Sequence, residues 1–262
     1  APGLDIYSVA PDRLDLSDDT ACLIVQQPGF LGQMEDVEVL SKQAHASGAL
    51  LVVSADPMSL GMFKPPAEYD ADIVVGEGQT LGIPPTYGGP YVGLFACKQK
   101  YIRQMPGRIV GKTVDTQGRE GYVLTLQTRE QHIRRERATS NICTSVGLIA
   151  LMSTVYVAAQ GRRGLRHVAE LCYHKAHYAA SLIENIPGYS LPLQNTFFRE
   201  FVVQCPIEPA EINRRLFERK IIGGLDVSDQ IPNGMLFCCT EVNTREEIKN
   251  LAGALSDIGG AK

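Results

Sequence analysis

The chain has 262 residues, of which 44% are hydrophobic and 21% charged, and its formal net charge is -4. This composition is typical of a soluble protein with a real core, built as one large or two modest domains. The negative charge excludes a general nucleic-acid-binding role, which needs a basic field. Its most apolar long run, residues 146–159, is too short and too interrupted by Ser and Thr to span a bilayer, so we expect no membrane segment.

The cysteines indicate the compartment. Their number is odd and no C-x-x-C spacing occurs, so neither a disulfide framework nor a zinc site is predicted. The seven are Cys22, Cys97, Cys143, Cys172, Cys205, Cys238 and Cys239. We expect reduced, mostly buried thiols in a reducing, cytoplasmic compartment.

The first part of the chain predicts a βαβ arrangement. Apolar runs at residues 21–26, 49–53 and 72–75 predict buried strands, and residues 91–97 predict a fourth. Residues 33–47 carry apolar side chains at helical spacing and predict a helix. Short strands separated in this way indicate a mostly parallel sheet.

A loop rich in Gly and Pro follows the third predicted strand, and we expect any functional site there, because α/β proteins place sites at the carboxyl ends of parallel strands. The pattern Gly76-x-Gly78-x-x-x-Gly82 differs from a dinucleotide fingerprint, since its third glycine is one place late. Prolines at 84 and 85 also prevent the helix that would hold a pyrophosphate. A purely structural loop is the competing interpretation.

The second half predicts a hairpin, two long helices and a small α+β domain. The hairpin comprises residues 108–112 and 121–126, and the helices comprise residues 144–159 and 165–186 with Gly161 between them. Further strands are predicted at 189–193, 199–204 and 235–239, and further helices at 208–219 and 244–258. We therefore predict a large domain at 1–160 and a small domain at 161–262.

Two clusters of functional side chains have ordinary explanations. Glu170, His174 and His177 share a helical face at metal-ligand spacing, but a solvated face explains them better, because no fourth ligand lies nearby. A basic cluster suits either an exposed face or a subunit contact, and it could receive a phosphate. Its members are Arg129, Arg134, Arg135 and Arg137. Composition and spacing alone predict no reaction.

Several longer segments identify a family. They are V-Q-Q-P-G-F at 25–30, I-V-V-G-E-G-Q at 73–79, Y-G-G-P-Y at 87–91 and Y-V-L-T-L-Q-T-R-E-Q-H-I-R-R-E-R-A-T-S-N-I-C at 122–143. They resemble subunit 1, the alpha subunit, of the glycine cleavage system P-protein, glycine dehydrogenase (decarboxylating). The similarity runs from about Asp5 to the C-terminus, so the chain resembles the C-terminal portion of such a subunit, with the start of its large domain missing. Its end soon after the last predicted helix favours a separate subunit over half of a fused protein.

The resemblance implies an α/β fold of the aspartate-aminotransferase-like type, the fold type I of pyridoxal-phosphate-dependent transferases. It has a mostly parallel sheet in the large domain, incomplete here at its N-terminus, and a small α+β C-terminal domain. The implied reaction is decarboxylation of glycine on pyridoxal phosphate, with transfer of the aminomethyl group to the lipoyl arm of the H-protein. The implied partners are the beta subunit and the lipoylated H-protein, with glycine as substrate.

This chemistry needs a lysine that forms a Schiff base with the cofactor and an acid at the pyridine nitrogen. On the family pattern, Gln79, followed by Thr80, stands at the lysine position, and Ser54 stands at the acid position with Asp56 two places further on. Glutamine forms no imine. We therefore expect pyridoxal phosphate in the partner beta subunit and none in this chain alone.

The resemblance also implies a contribution to the partner's site. In related folds a Thr-x-Asn element crosses the subunit interface and donates hydrogen bonds to the neighbour's cofactor phosphate. Thr139, Ser140 and Asn141 match it and are our candidate cofactor-binding residues in trans, with no catalytic or metal-binding residue expected. Alternatively, Thr139 or Asn141 could simply be the N-cap of the following helix. An autonomous pyridoxal-phosphate transferase and a purely structural scaffold subunit are the alternatives.

Overall fold

The structure is a computed structural model that describes residues 3–126, 131–138 and 146–260. The first sheet has four strands in the order β1-β2-β3-β4. They are β1 (Cys22–Gln27), β2 (Leu50–Ala55), β3 (Ile73–Glu77) and β4 (Gly93–Cys97). The first three run parallel, and β4 runs antiparallel to β3. The predicted mostly parallel sheet is confirmed.

Helix α1 (Val37–Ala46) covers one face of this sheet. The predicted start at residue 33 is wrong, because the Asp36 side chain accepts a hydrogen bond from the Val39 amide and caps the helix there. Leu40 and Ala44 are buried on its inner side and pack with Val25, Leu51, Val53 and their neighbours. The strands thus contribute Val25, Leu51 and Val53 to a core under α1.

The predicted hairpin is confirmed as β5 (Ile109–Val114) paired antiparallel with β6 (Glu120–Thr125). Asp115 shapes its turn, because its Oδ1 accepts hydrogen bonds from the amides of Gln117 and Arg119. A four-residue helix, α2 (Gln131–Arg134), follows among the described residues.

The long helix α3 (Gly147–Glu184) is two helices joined across a kink at Gly161, whose φ is 59° and ψ -177°. Only glycine adopts this conformation without strain, so the helix break predicted at Gly161 is confirmed. The predicted domain boundary between residues 160 and 161 coincides with this break and stays a prediction.

The C-terminal part packs helices on a second sheet with the strand order β7-β9-β8. Its elements are β7 (Glu200–Gln204), α4 (Pro209–Glu218), β8 (Leu225–Asp226), β9 (Gly234–Cys238) and α5 (Arg245–Gly260). Ile183, Leu216, Met235 and Leu255 lie in its core, each at most 1% exposed. The two-residue strand β8 was not predicted, because so short an edge strand has no readable pattern.

The strand predicted at residues 189–193 is wrong. Only Ser190 forms an isolated bridge, to Gln204. Pro192 has no amide to donate, which ends the pairing, and Tyr189 instead turns its hydroxyl to the Leu255 carbonyl oxygen at 3.1 Å.

Two further predictions concern the cysteines, expected as free thiols, and the helices, none of which is expected to span a membrane. The six cysteines that the structure describes are free thiols, and Cys172, Cys205 and Cys239 are the buried ones among them. Cys143 lies outside the described residues. Within the described ranges, no helix is long and apolar enough to cross a membrane.

A buried carboxylate stabilises the amino edge of the first sheet. Asp72, directly before β3, has a side chain only 1% exposed, and it lies 2.8 Å from His45 Nε2 and 2.9 Å from Lys98 Nζ. Burial alone would raise the pKa of Asp72, but hydrogen bonds from His45, Lys98 and the Leu51 amide outweigh it and hold the pKa well below its usual range. The folded chain therefore favours the ionised form of Asp72.

We expect Asp72→Asn to lower the free energy of unfolding by about 3 kcal/mol, because it removes a buried carboxylate that pairs with the half-buried Lys98 and hydrogen-bonds to His45 and the Leu51 amide. Asp70→Asn is the matched control: Asp70 also contacts Lys98, at 2.7 Å, but is 69% exposed, so about 1 kcal/mol or less is expected. Urea denaturation measures both.

The depressed pKa of Asp72 predicts that the chain loses stability as the pH falls. Because the folded pKa of Asp72 is depressed, its contribution is fully present above the unfolded value near 4 and is lost as the pH falls below it. Asp72→Asn should therefore flatten the decline in stability on the acid side. Two results would contradict this role of Asp72: equal losses of unfolding free energy in the two variants, or an unchanged decline in stability at acid pH in Asp72→Asn.

Candidate functional site

The carboxyl ends of β1, β2 and β3 meet at one edge of the parallel sheet. Gln27 pairs with Ala55 in register, and the Asp56 amide donates to the Gln27 carbonyl oxygen at 3.1 Å. The chain then leaves each strand as a loop, and the loop after β3 carries Gln79 and Thr80. This edge is where the sequence predicts a site.

Asp56 is the acidic side chain that the structure places at the end of β2. Its Oδ1 accepts a hydrogen bond from the Met58 amide at 3.0 Å and lies 3.4 Å from Thr80 Oγ1. Its Oδ2 lies 2.7 Å from Arg199 Nη2, and the two side chains are 15% and 17% exposed. Asp56 is therefore already neutralised by a cation from the C-terminal part of the chain.

Gln79 sits in a tight turn. Its amide donates to Glu77 Oε2 at 2.9 Å, and its carbonyl oxygen accepts from the Ile83 amide at 3.0 Å. The neighbouring glycines serve packing: a Cβ on Gly76 would lie 2.7 Å from the Ala55 carbonyl oxygen, and a Cβ on Gly78 would lie 2.5 Å from Val92 Cγ1. The structural interpretation of these glycines is thus sufficient.

The loop that follows is braced by its own hydrogen bonds. Thr86 and Tyr87 have φ values of 38° and 53°, a left-handed conformation that costs energy for residues other than glycine. Thr86 Oγ1 donates to the Gly89 carbonyl oxygen at 3.0 Å, and the Tyr91 hydroxyl donates to the Pro85 carbonyl oxygen at 2.7 Å. Tyr87 is left fully exposed.

The lysines nearest to this edge in the sequence are engaged elsewhere. Each forms an ion pair with a carboxylate: Lys64 with Glu38, Lys98 with Asp70 and Asp72, and Lys112 with Glu120. Lys175 of α3 donates to the Glu241 backbone carbonyl oxygen. None of these contacts directs an amine to the turn at Gln79.

Cys172 lies at the junction of the two sheets and is unsuited to nucleophilic chemistry. Its thiol contacts Glu241 Oε2 at 3.3 Å. Burial, and then this hydrogen bond to a carboxylate, raise the pKa of the Cys172 thiol to about 12, so it stays protonated.

The predicted trans residues Thr139, Ser140 and Asn141 lie outside the described residues, as does Arg129. The described members of the basic cluster, Arg134, Arg135 and Arg137, are exposed on α2 and the turn after it.

The helical face with metal-ligand spacing consists of unrelated contacts. Glu170 pairs with Arg166 at 2.8 Å, and the His177 ring stacks on Phe197 with centroids 3.9 Å apart. Burial lowers the pKa of His177. Within the part of the chain that the structure describes, no group of three or more His, Cys, Asp or Glu is placed to hold a metal ion.

The loop after β1 lies against the start of β7. Gly32 has φ 92°, and a Cβ there would lie 1.9 Å from the Glu200 carbonyl oxygen. The Met34 amide donates to the Thr196 carbonyl oxygen at 2.8 Å, and Gln33 bridges Phe197. Gly32 is required here because only a residue without a Cβ permits this approach of two backbones.

Arg199 is the functional residue that the sequence analysis missed. It lies in the segment predicted as a strand, directly after Phe197 and Phe198 and before Phe201. A charged residue inside such an apolar run was the available signal, since a buried cation requires an anionic partner. The sequence did not reveal that Asp56 is this partner.

The fold defines a class of protein. The chain superposes on a phosphoserine aminotransferase from Cytophaga hutchinsonii with a TM-score of 0.58 and 14% identity, over 96% of this chain and 67% of that one. This is the aspartate-aminotransferase-like fold of type I pyridoxal-phosphate-dependent transferases, as predicted. A glycine decarboxylase (P-protein) of the glycine cleavage system, solved in inhibitor-bound form, is more similar, with a TM-score of 0.88 and 43% identity over 93% of this chain and 56% of that one.

Sequence comparison agrees. The family described as "Glycine cleavage system P-protein" matches residues 3–255. A probable glycine dehydrogenase (decarboxylating) subunit 1 from Thermomicrobium roseum is 54% identical over 92% of this chain and 55% of its own length. The chain therefore belongs to the glycine cleavage system P-protein family, and it spans about half the length of this curated relative.

The residues at the carboxyl edge do not fit a Schiff base with pyridoxal phosphate. The side chain after β3 is the Gln79 amide, which forms no imine. The strand β2 ends with Ser54 and Ala55, and the following acid, Asp56, is engaged by Arg199.

Alanine substitutions at two glycines test the close approach of the Gly32 backbone to the Glu200 backbone. Gly32 and Gly48 both have positive φ, 92° and 79°, but nothing lies within 4 Å of a Cβ on Gly48. Gly48→Ala should cost about 1 kcal/mol of stability from the backbone conformation alone. Gly32→Ala should cost about 2 kcal/mol more from overpacking against Glu200. Urea denaturation compares them, and equal losses would refute the close approach.

Proposed function

We propose that this chain is subunit 1 of a two-chain glycine cleavage P-protein. The whole assembly decarboxylates glycine with pyridoxal phosphate and transfers the aminomethyl group to the lipoyl arm of the H-protein. Support comes from the family match and from relatives named glycine dehydrogenase (decarboxylating) subunit 1. A cytoplasmic location agrees with the predicted reduced thiols.

The proposal assigns the cofactor to the partner beta subunit. The observation that carries it is the amide of Gln79 at the position where the family pattern has the Schiff-base lysine. The ion pair between Asp56 and Arg199 supports it, because the acid nearest that position already has a cation 2.7 Å away. In this assignment the chain keeps the fold of a pyridoxal-phosphate enzyme and works only in the complex.

The chain's own contribution, in this proposal, is a wall of the partner's site. Thr139, Ser140 and Asn141 would donate hydrogen bonds to the phosphate of the partner's cofactor. The exposed Arg135 and Arg137 precede them and add positive charge where an anionic phosphate would lie. Removing one of these hydrogen-bond donors should therefore weaken the binding of pyridoxal phosphate to the complex.

The test uses Thr139→Val and Asn141→Leu in the reconstituted complex of both subunits. Each removes one group that hydrogen-bonds to a charged phosphate, so the Kd of the complex for pyridoxal phosphate should rise about tenfold. Activity at saturating cofactor should recover in large part. Thr116→Val, at the exposed hairpin turn, is the control and should change neither quantity.

The other outcomes separate the alternatives. An intact complex with unchanged cofactor affinity would leave this chain a purely structural scaffold. Glycine decarboxylation by this chain without its partner would make it an autonomous pyridoxal-phosphate transferase.

A further inference from the structure

Between the first sheet and the sheet of β7–β9, the helix α3 is kinked at Gly161, where no other group packs. We call β1–β4 with α1 the N-terminal unit, and the part of α3 after Gly161 with β7–β9, α4 and α5 the C-terminal unit. Gly161 has φ 59° and ψ -177°, and nothing lies within 4 Å of the place that a Cβ would occupy. Because this conformation suits glycine alone and nothing packs there, Gly161 has the properties of a hinge.

One short segment makes most of the polar contacts between the units. We call Thr196–Glu200 the strap. The Thr196 carbonyl oxygen accepts from the Met34 amide at 2.8 Å, and Phe197 bridges Gln33. Phe198 is fully buried and meets the Phe63 ring edge-on, with centroids 5.8 Å apart. The strap thus belongs to the C-terminal unit and is held by backbone and apolar contacts to the N-terminal unit.

Arg199 adds the one ion pair of the strap that crosses between the units. Its Nη2 lies 2.7 Å from Asp56 Oδ2, and its Nε donates to Glu200 Oε1 at 2.9 Å. Asp56 is itself fixed by the Met58 amide and lies 3.4 Å from Thr80 Oγ1. The guanidinium therefore connects the start of β7 to the end of β2 and to the loop after β3.

We infer that the Asp56–Arg199 ion pair is a latch that holds the C-terminal unit closed over the carboxyl edge of the parallel sheet. Separation of the units would require bending at Gly161, and the latch opposes it together with the packing of Leu165 and Ala169 on Gly61. Because both side chains are largely buried, opening leaves Asp56 without its cation until water reaches it, while Arg199 keeps its contact with Glu200. Closure also fixes Thr80, and with it the turn at Gln79.

Loss of a latch differs from loss of an ordinary stabilising contact, because it increases the solvent exposure of the interface between the units and not of the whole chain. Its removal should speed the exchange of amides that bond across the units, and leave amides bonded within one unit unchanged. The Met34 amide reports across the units. The Leu50 amide donates to the Ala21 carbonyl oxygen, so its exchange reports on the N-terminal unit alone. The Gln204 amide donates to the Ser190 carbonyl oxygen, so its exchange reports on the C-terminal unit alone.

The experiment is residue-resolved hydrogen exchange on the full chain with Asp56→Asn, Arg199→Met and the double variant. Each change should raise the Met34 exchange rate about tenfold or more, because it removes one charge of a largely buried ion pair and leaves the other without its partner across the units. The rates of Leu50 and Gln204 should stay within about twofold. The double variant should match the single ones, since both act through the same contact.

Arg219→Met is the matched control, because it removes an exposed ion pair with Asp257 that lies within the C-terminal unit. It should leave Met34 unchanged. Arg199→Lys keeps the charge without the fork of donors, and should raise the Met34 rate by a smaller factor if Arg199→Met does not fold. Equal acceleration of all three amides, or no acceleration of Met34, would overturn the latch.

Discussion

A buried carboxylate requires a cation, and at the carboxyl edge of the sheet this requirement joins the two halves of the chain. Asp56 directly follows β2, the central strand of the parallel group, and its partner Arg199 directly precedes β7. The same requirement is met locally at the opposite edge, where His45 and Lys98 surround Asp72. The first pair links separate parts of the chain, whereas the second stabilises a single sheet.

This arrangement bears on what the fold is used for. Type I pyridoxal-phosphate enzymes place a lysine and an acid near the carboxyl edge, and here that edge presents an amide and an acid that already has its cation. Such an edge supports the proposal that the cofactor is bound by the partner subunit. The fold alone does not imply the chemistry, so the assignment depends on these side chains.

Much of the fold follows from local sequence. The β-branched runs before Gln27, Ala55 and Glu77 predict strands because such residues suit a sheet buried on one or both faces, and Gly161 predicts the break in α3. The errors arise where a single side chain overrides the pattern. Asp36 delays the start of α1, and Pro192 prevents the strand expected there.

The site was less predictable. The family pattern points to Gln79 and Ser54, but the pairing of Asp56 with Arg199 joins distant segments and leaves no spacing signal in the sequence. Gly32 is similar, because its reason is the Glu200 backbone and not its own loop. Contacts of this kind follow from tertiary packing, which a single sequence does not specify.

Borohydride reduction of the chain with pyridoxal phosphate, followed by mass spectrometry, tests directly whether the cofactor is bound by the beta subunit and not by this chain. It is made on the chain alone and on its complex with the beta subunit. We expect a reduced cofactor adduct on a lysine of the beta subunit and none on this chain, whose Gln79 cannot form a Schiff base. A stoichiometric adduct on any lysine of this chain would contradict this expectation.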